Sequence, residues 1–182
     1  MDDMKFLTGH VADVAPRLLG CVLERELDGQ VLRGRIVEVE AYDQTDAASH
    51  SYRGKTERTA VMFGPAGYLY VYFTYGMHYC CNIVVGDEGR GAAVLSRGLE
   101  PLEGLDVIRE RRHGRSDAEL TDGPAKLCQA FGIDRRLNGH DLRASPLRLL
   151  TGEPAAAEDI LITPRIGISK AVDVPWRFVL KG

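Results

Sequence analysis

The sequence predicts an α+β fold: a single domain over residues 1–182 with a mainly antiparallel, curved β-sheet and flanking helices. Two observations carry this expectation. Alternating segments meet at tight turn signals, Asp28-Gly29 and Tyr75-Gly76, and such hairpins pair neighbouring strands antiparallel. The regular strand–helix–strand alternation that marks a parallel sheet is absent. A chain of 182 residues is long enough for one core and short for two domains, and neither an internal repeat nor a linker divides it.

The elements follow in order. Residues 11–19 read as a helix, with Leu18 and Leu19 inward and Gly20 ending it. Residues 21–27 and 31–42 alternate as strands around Asp28-Gly29. Residues 43–60 form a polar loop carrying His50, long for a connection without structure of its own, which favours a functional role. Phe63-Gly64-Pro65 is a turn. Residues 68–74 and 79–85 form a second hairpin, and residues 91–99 a strand carrying Arg97 among apolar neighbours. Residues 102–112 place Leu102, Leu105 and Ile108 on one side of a helix. A further helix starts near Pro124 and ends at Gly132. Residues 160–168 and 176–180 are closing strands, and 114–122 and 152–159 are polar surface segments.

Composition bounds the function. The chain is 45% hydrophobic and 27% charged, as in an ordinary globular protein, and lacks the run of about 18 apolar residues a membrane helix needs. The start, MDDMKFLTGH, has neither the basic nor the apolar region of a secretory signal, so the expectation is an intracellular protein with no membrane partner. Cys21, Cys80, Cys81 and Cys128 include no C-x-x-C pair; they read as buried free thiols, and no metal site is expected. A net charge of -3 lacks the basic footprint of wholesale nucleic-acid binding. Two local basic clusters remain: Arg53, Lys55 and Arg58, and Arg109, Arg111, Arg112, His113 and Arg115. By default each is a solvated face.

Certain residues could carry chemistry. Strand alternation puts Glu38, Glu40 and Tyr42 on one face and Val37, Val39 and Ala41 on the other. Glu38 and Glu40 read either as the polar face of an edge strand or as an acid/base pair whose Cα atoms lie roughly 6.6 Å apart. Tyr68, Tyr70 and Tyr72 share a face of the next hairpin. Tyr75, beside Gly76 at the tip, cannot be covered by its own hairpin, and an exposed aromatic at an apex is a natural wedge for a base stack. Asn82 and Arg97 interrupt apolar strands, so each is paired inside the fold or turned toward a pocket. Arg97 is the natural neighbour of a catalytic carboxylate. His50, between Ser49 and Ser51, has no second ligand at metal spacing. On these residues alone three readings stay open: an enzyme gripping a flat, ring-shaped substrate, a glycoside or nucleoside hydrolase built on Glu38 and Glu40, and a non-catalytic single-strand nucleic-acid module using the tyrosines as stacking platforms.

The joint order EAY, ASHS, MFGP, YVYFTYGMHYCCN, LSRGLEPLEG and DGPAKLCQAFGI resembles the alkyladenine (3-methyladenine) DNA glycosylase family. The resemblance runs from LLGCVL through RIGIS to the closing WRFVLKG. It implies that Glu40 is the general base that activates a water, and that Arg97 helps hold that carboxylate. It makes the Ile166 carbonyl a further water ligand. Tyr42, His50 and Tyr72 would sandwich a base flipped out of double-stranded DNA, Tyr75 would fill the vacated stack, and Asn82 would reject the exocyclic amino group of guanine. The substrates implied are damaged purines of the 3-methyladenine, 7-methylguanine, hypoxanthine and ethenoadenine class. The enzyme would be a monofunctional, monomeric glycosylase needing no cofactor. Arg53, Lys55, Arg58, Lys126 and part of the Arg109–Arg115 cluster would face phosphates.

Overall fold

The computed structural model describes residues 4–182; the first three residues of the predicted domain lie outside the described residues. The chain opens with a short helix α1 (Val11–Val14), whose first turn is capped by the His10 side chain accepting from the Ala12 N–H at 3.1 Å. The helix then tightens into a 3-10 turn, Ala15–Leu18, so the helix expected over 11–19 is α-helical only in its first half. Pro16 is the reason: it has no N–H to donate to the turn before it, and its ring crowds a continuing α-helix.

Strands β1 (Val22–Leu27) and β2 (Gln30–Tyr42) form the first hairpin, and β3 (Leu69–Thr74) and β4 (His78–Val84) the second. Next comes β5 (Ala93–Glu103), followed by α2 (Leu105–Arg111), α3 (Pro124–Phe131), β6 (Leu147–Leu150), β7 (Ile160–Thr163) and β8 (Arg177–Leu180). Among the described residues they make one eight-stranded sheet in the order β3-β4-β5-β2-β1-β6, with β8 beside β2 and β7 beside β8. Every strand pair is antiparallel. The architecture is the α+β class expected, with a curved, open sheet. No helix among the described residues is long and apolar enough to cross a membrane.

The core lies between the sheet and the helices. Leu32, Ile36, Val39, Ile83 and Val94 from the sheet pack with Leu18, Ile108, Leu127 and Phe131 from the helical side, all fully buried. Each such side chain contributes roughly 1.5–3 kcal/mol by leaving water. Helix α3 ends as expected at Gly132, at φ 61°, where the Ile133 N–H bonds back to the Cys128 carbonyl at 2.9 Å.

Boundaries depart from expectation in three places. β5 runs through Pro101 to Glu103, because Gly34 and Arg33 of β2 pair with these residues, and the following helix begins only at Leu105 instead of Leu102. β7 stops at Thr163, where Pro164 removes the next ladder donor, so residues 164–168 are free to leave the sheet. β6 lies in a stretch for which the sequence predicts no element. It is four residues long and, among the described residues, pairs with β1 alone, too little for a periodic pattern to register.

The feature that positions the site is an irregularity in β2. Leu32 and Ile36, even-numbered, point into the core, whereas beyond the irregularity the odd-numbered Val39 and Ala41 do so. Val37 is passed over in the register with β5, and Arg97 is passed over on the facing strand. An extra residue in a strand reverses which face every later side chain takes. The bulge therefore turns Glu38, Glu40 and Tyr42 away from the core, and takes Val37 out of the alternation it was expected to share with Val39. At the same place β2 exchanges its partner, pairing with β1 up to Arg35 and with β8 from Glu38 to Glu40.

Candidate active site

Beyond the bulge, β2 backs a cavity of about 570 Å³. Tyr42, His50, Tyr72, Tyr75, Asn82, Arg97 and Ile166 all line it. They come from separate segments, so the sheet brings together seven positions that the sequence spreads over more than a hundred residues. Glu40 is one layer behind this wall, with no exposed surface. Its neighbours Tyr42, Arg97 and Ile166 stand between it and the open space.

Both carboxylate oxygens of Glu40 are held. The Tyr42 hydroxyl donates to Oε1 at 2.8 Å, and the Ile166 N–H donates to Oε2 at 2.7 Å. A buried charge is tolerated only with such partners, and charge-assisted bonds of this kind are the stronger class. Arg97 was expected to grip Glu40, but its direct hydrogen bond goes elsewhere. Its Nε donates to Glu38 Oε2 at 3.1 Å, while its Nη1 lies 3.7 Å from Glu40 Oε1. Glu38 also accepts from Arg177 Nε at 2.7 Å. Glu38 is thus the anchor for two arginines, and Arg97 spans the two carboxylates. At Ile166 the amide holds the carboxylate, a contact additional to the water-binding role expected of its carbonyl. Burial first, and then the Glu40 charge, push the Tyr42 hydroxyl well above its ordinary pKa, so it stays a donor.

His50 and Tyr72 touch edge-to-face, with ring centroids 4.4 Å apart, and make one aromatic wall. The Tyr70 hydroxyl meets His50 Nδ1 at 3.0 Å and fixes the ring. Although His50 reaches solvent, packing against the protein and, less strongly, the nearby Arg58 charge lower its pKa to about 4. The imidazole is neutral at physiological pH. The loop carrying it is tied down by Ser51, whose hydroxyl donates to the Gly91 carbonyl at 2.6 Å. Only glycine fits at 91, since an added Cβ would lie 2.6 Å from both Ser51 and Phe63. Asn82 is buried and donates to the Tyr70 carbonyl at 3.2 Å, so it is both paired and turned toward the cavity. Tyr68 does not join Tyr70 and Tyr72: it precedes β3 and makes a single bridge to Asp141.

At the cavity lip, Tyr75 is 84% exposed and adopts φ 53°, followed by Gly76 at φ 69°. Arg53, Lys55 and Arg58 are exposed on the loop carrying His50, and Arg58 lies 5.9 Å from the Tyr72 ring centre. Lys126 is half-buried and bonded to Asp122 at 2.8 Å. Three arginines of the second basic cluster are already paired within the protein, two of them at its surface. Arg109 forks onto Asp117, Arg111 bonds the Gln129 carbonyl, and Arg112 is buried with its Nε on the Leu120 carbonyl. These three stitch α2 and its following turns to α3.

Arg165 and Arg177, which hold the site from behind, have no place in the sequence expectation, and Tyr70, expected only as part of an aromatic face, lines the cavity and fixes His50. Arg165 had one signal: an arginine between Pro164 and an apolar residue in a segment read as a strand.

The fold and the site together define a class: an antiparallel α+β domain with an aromatic-walled cavity, backed by a pinned carboxylate and flanked by an exposed aromatic on a hairpin tip. Comparison with known proteins gives the family. The family model for methylpurine-DNA glycosylase matches residues 5–182, and the chain belongs to that family of DNA-repair hydrolases. A relative from Carboxydothermus hydrogenoformans is 56% identical over 178 residues, covering 97% of this chain and 93% of its own. Relatives from Methanoculleus marisnigri, 52% identical over 97% of this chain and 93% of theirs, and from Rhodopseudomonas palustris, 51% identical over 98% and 86%, are similar throughout. All three bear the name "Putative 3-methyladenine DNA glycosylase".

Proposed function

We propose that this protein removes alkylated or deaminated purines from double-stranded DNA by flipping the damaged nucleotide into the cavity and hydrolysing its N-glycosidic bond. The observation that carries this reading is the Glu40 carboxylate, buried and pinned on both oxygens directly behind a wall built from Tyr42, His50 and Tyr72. Extrusion of a nucleotide costs a few kcal/mol. Tyr75, with nothing of its own fold over it, is suited to repay part of this by stacking in the gap. Inside, the faces of Tyr42, His50 and Tyr72 grip the base, and neutral His50 adds no charge to oppose a cationic one. A cationic alkylated base gains roughly 0.5–2 kcal/mol from an aromatic face and is already a good leaving group.

Hydrolysis then needs a water and an anion facing the developing positive charge at the anomeric carbon. Glu40 takes a proton from the water as it attacks, the bond from carbon to the base nitrogen breaks, and the electron pair leaves with the base. The water reaches Glu40 from the cavity, past Tyr42, Arg97 and Ile166. Asn82 screens the base edge against guanine. No lysine is needed as a nucleophile, so the product is an abasic site, with no Schiff base. The substrate class is 3-methyladenine, 7-methylguanine, hypoxanthine and ethenoadenine. The domain, residues 1–182, acts as a monomer without cofactor inside the cell, and Arg53, Lys55, Arg58 and Lys126 steady the phosphates. Duplex DNA carrying one hypoxanthine or one ethenoadenine, incubated with protein and then treated with alkali, tests the reading. Strand breaks with wild type and none with Glu40→Gln are expected. Absence of breaks with wild type on these lesions and on 3-methyladenine overturns it.

A further inference from the structure

Arg165 has no exposed side-chain surface and is not itself among the residues lining the cavity. Four of its five N–H donors are engaged. Nη1 donates to the Ala41 carbonyl at 3.0 Å and to Asp46 Oδ2, and Nη2 donates to Asp46 Oδ1 at 3.0 Å and to the Ala171 carbonyl at 3.3 Å. The fifth, on Nε, has no acceptor among the described residues. Its guanidinium centre lies 4.7 Å from the Tyr42 ring centre and 5.6 Å from that of Trp176, so the cation sits over both rings. The next residue along is Ile166, whose amide holds Glu40.

These contacts converge on the reacting group. The Ala41 carbonyl belongs to the residue between Glu40 and Tyr42. The Tyr42 ring carries the hydroxyl that holds Glu40 Oε1. Asp46 roots the loop that bears His50, and Ala171 closes the segment from Ile166 to Lys170 that lines the cavity. An ordinary stabilising ion pair would need none of this convergence, and a buried donor left unpaired is a cost that calls for a reason. The flat fork of an arginine can serve three acceptors in one plane while stacking on two rings. A lysine, with a compact charge and three donors, cannot.

We propose that Arg165 is a positioning residue for the hydrolysis: it sets the Ile166 amide and the Tyr42 hydroxyl on Glu40, and holds one face of the Tyr42 ring so that the other is presented to the base. The inference rests on Glu40 as the water-activating group. A misplacement of about 1 Å, even from a change outside the reacting atoms, can cost about 100-fold in rate.

The test uses the full chain, with Arg165→Lys and Asp46→Asn measured beside wild type and Glu40→Gln on duplex DNA carrying one hypoxanthine. Single-turnover rate and duplex affinity are read separately. Arg165→Lys is expected to lower the rate about 100-fold and affinity at least ten times less than rate. Asp46→Asn, which keeps the fork but weakens its partner, is expected to lose about tenfold in rate. Trp176, the single tryptophan, should shift its emission in Arg165→Lys while far-ultraviolet circular dichroism stays unchanged. A folded Arg165→Lys with a rate within threefold of wild type, or with rate and affinity falling equally, overturns the proposal. If Arg165→Lys does not fold, Asp46→Asn decides, and a wild-type rate there overturns it. Failure of the functional reading looks different: wild type releases no base, or Glu40→Gln is as fast as wild type.

Discussion

The carboxylate behind the cavity and the tip of the second hairpin are built on opposite terms. Glu40 is wholly buried and receives bonds from β2, through Tyr42, and from the segment after β7, through Ile166, with Arg97 of β5 close by. Tyr75 is 84% exposed and stands in a left-handed backbone conformation that costs a non-glycine residue about 1 kcal/mol or more. One group is fixed from several sides, whereas the other is held out where nothing in the fold benefits. The difference teaches what the proposed function asks of each. On that proposal Glu40 must meet a reacting atom, which requires a rigid surround, whereas Tyr75 completes its contacts on another molecule and must be left without contacts at home.

Four experiments sharpen or break this contrast. The largest effect is expected at the carboxylate: Glu40→Gln should lower the single-turnover rate on a hypoxanthine duplex by about 1,000-fold while lesion binding is kept. A loss of less than tenfold would mean that the pinned carboxylate is only structural. Next comes its anchor. Glu38→Ala leaves Arg97 and Arg177 without their shared acceptor, and denaturant unfolding should show a loss of about 2 kcal/mol. An unchanged midpoint would show that the two arginines find other partners at no cost.

Tyr75 should behave in the reverse way. Tyr75→Ser is expected to weaken lesion-duplex binding about tenfold, the scale of one lost stacking contact, with the melting temperature unchanged. Tyr75→Gly should bind as poorly and be at least as stable as wild type, because glycine accepts φ 53° without strain. Unfolding of either variant would make Tyr75 part of the core and end the contrast. The smallest effect concerns His50, which joins the rigid wall although it reaches solvent. Its folded pKa of about 4 lies below the ordinary 6.5, so the unfolded chain binds the extra proton first. The contribution of His50 to stability is fully present above pH 6.5 and is lost as pH falls toward 4. A proton NMR titration of the imidazole should give a midpoint near 4, and one at 6.5 would show a ring that is not packed.

Much of this contrast was legible in advance. Glycine beside Tyr75 marked an uncovered tip, and polar Asn82 and Arg97 within apolar strands marked positions that needed partners or a pocket. The turn signals fixed both hairpins to within a residue or so, because hairpin chemistry is local. The departures have two causes. The helix expected from Leu102 yielded to pairing with β2, and Arg165 looked like an ordinary charged residue; both depend on partners distant in the chain. The strand expected through Ile168 ended at Pro164, a local stop that the apolar pattern alone does not register.

By itself, then, the sequence determined most of the strands, the hairpin turns, the antiparallel class and the residue types that line the cavity, since those follow from alternation, turn geometry and the order of motifs. Only the tertiary structure decided which face Glu40 takes and what holds it there. The bulge at Val37 arises where β2 leaves β1 for β8, and the amide of Ile166 reaches Glu40 across 126 positions of chain. No local pattern encodes either, because a strand's register and a buried charge's partners are set by whatever packs against them.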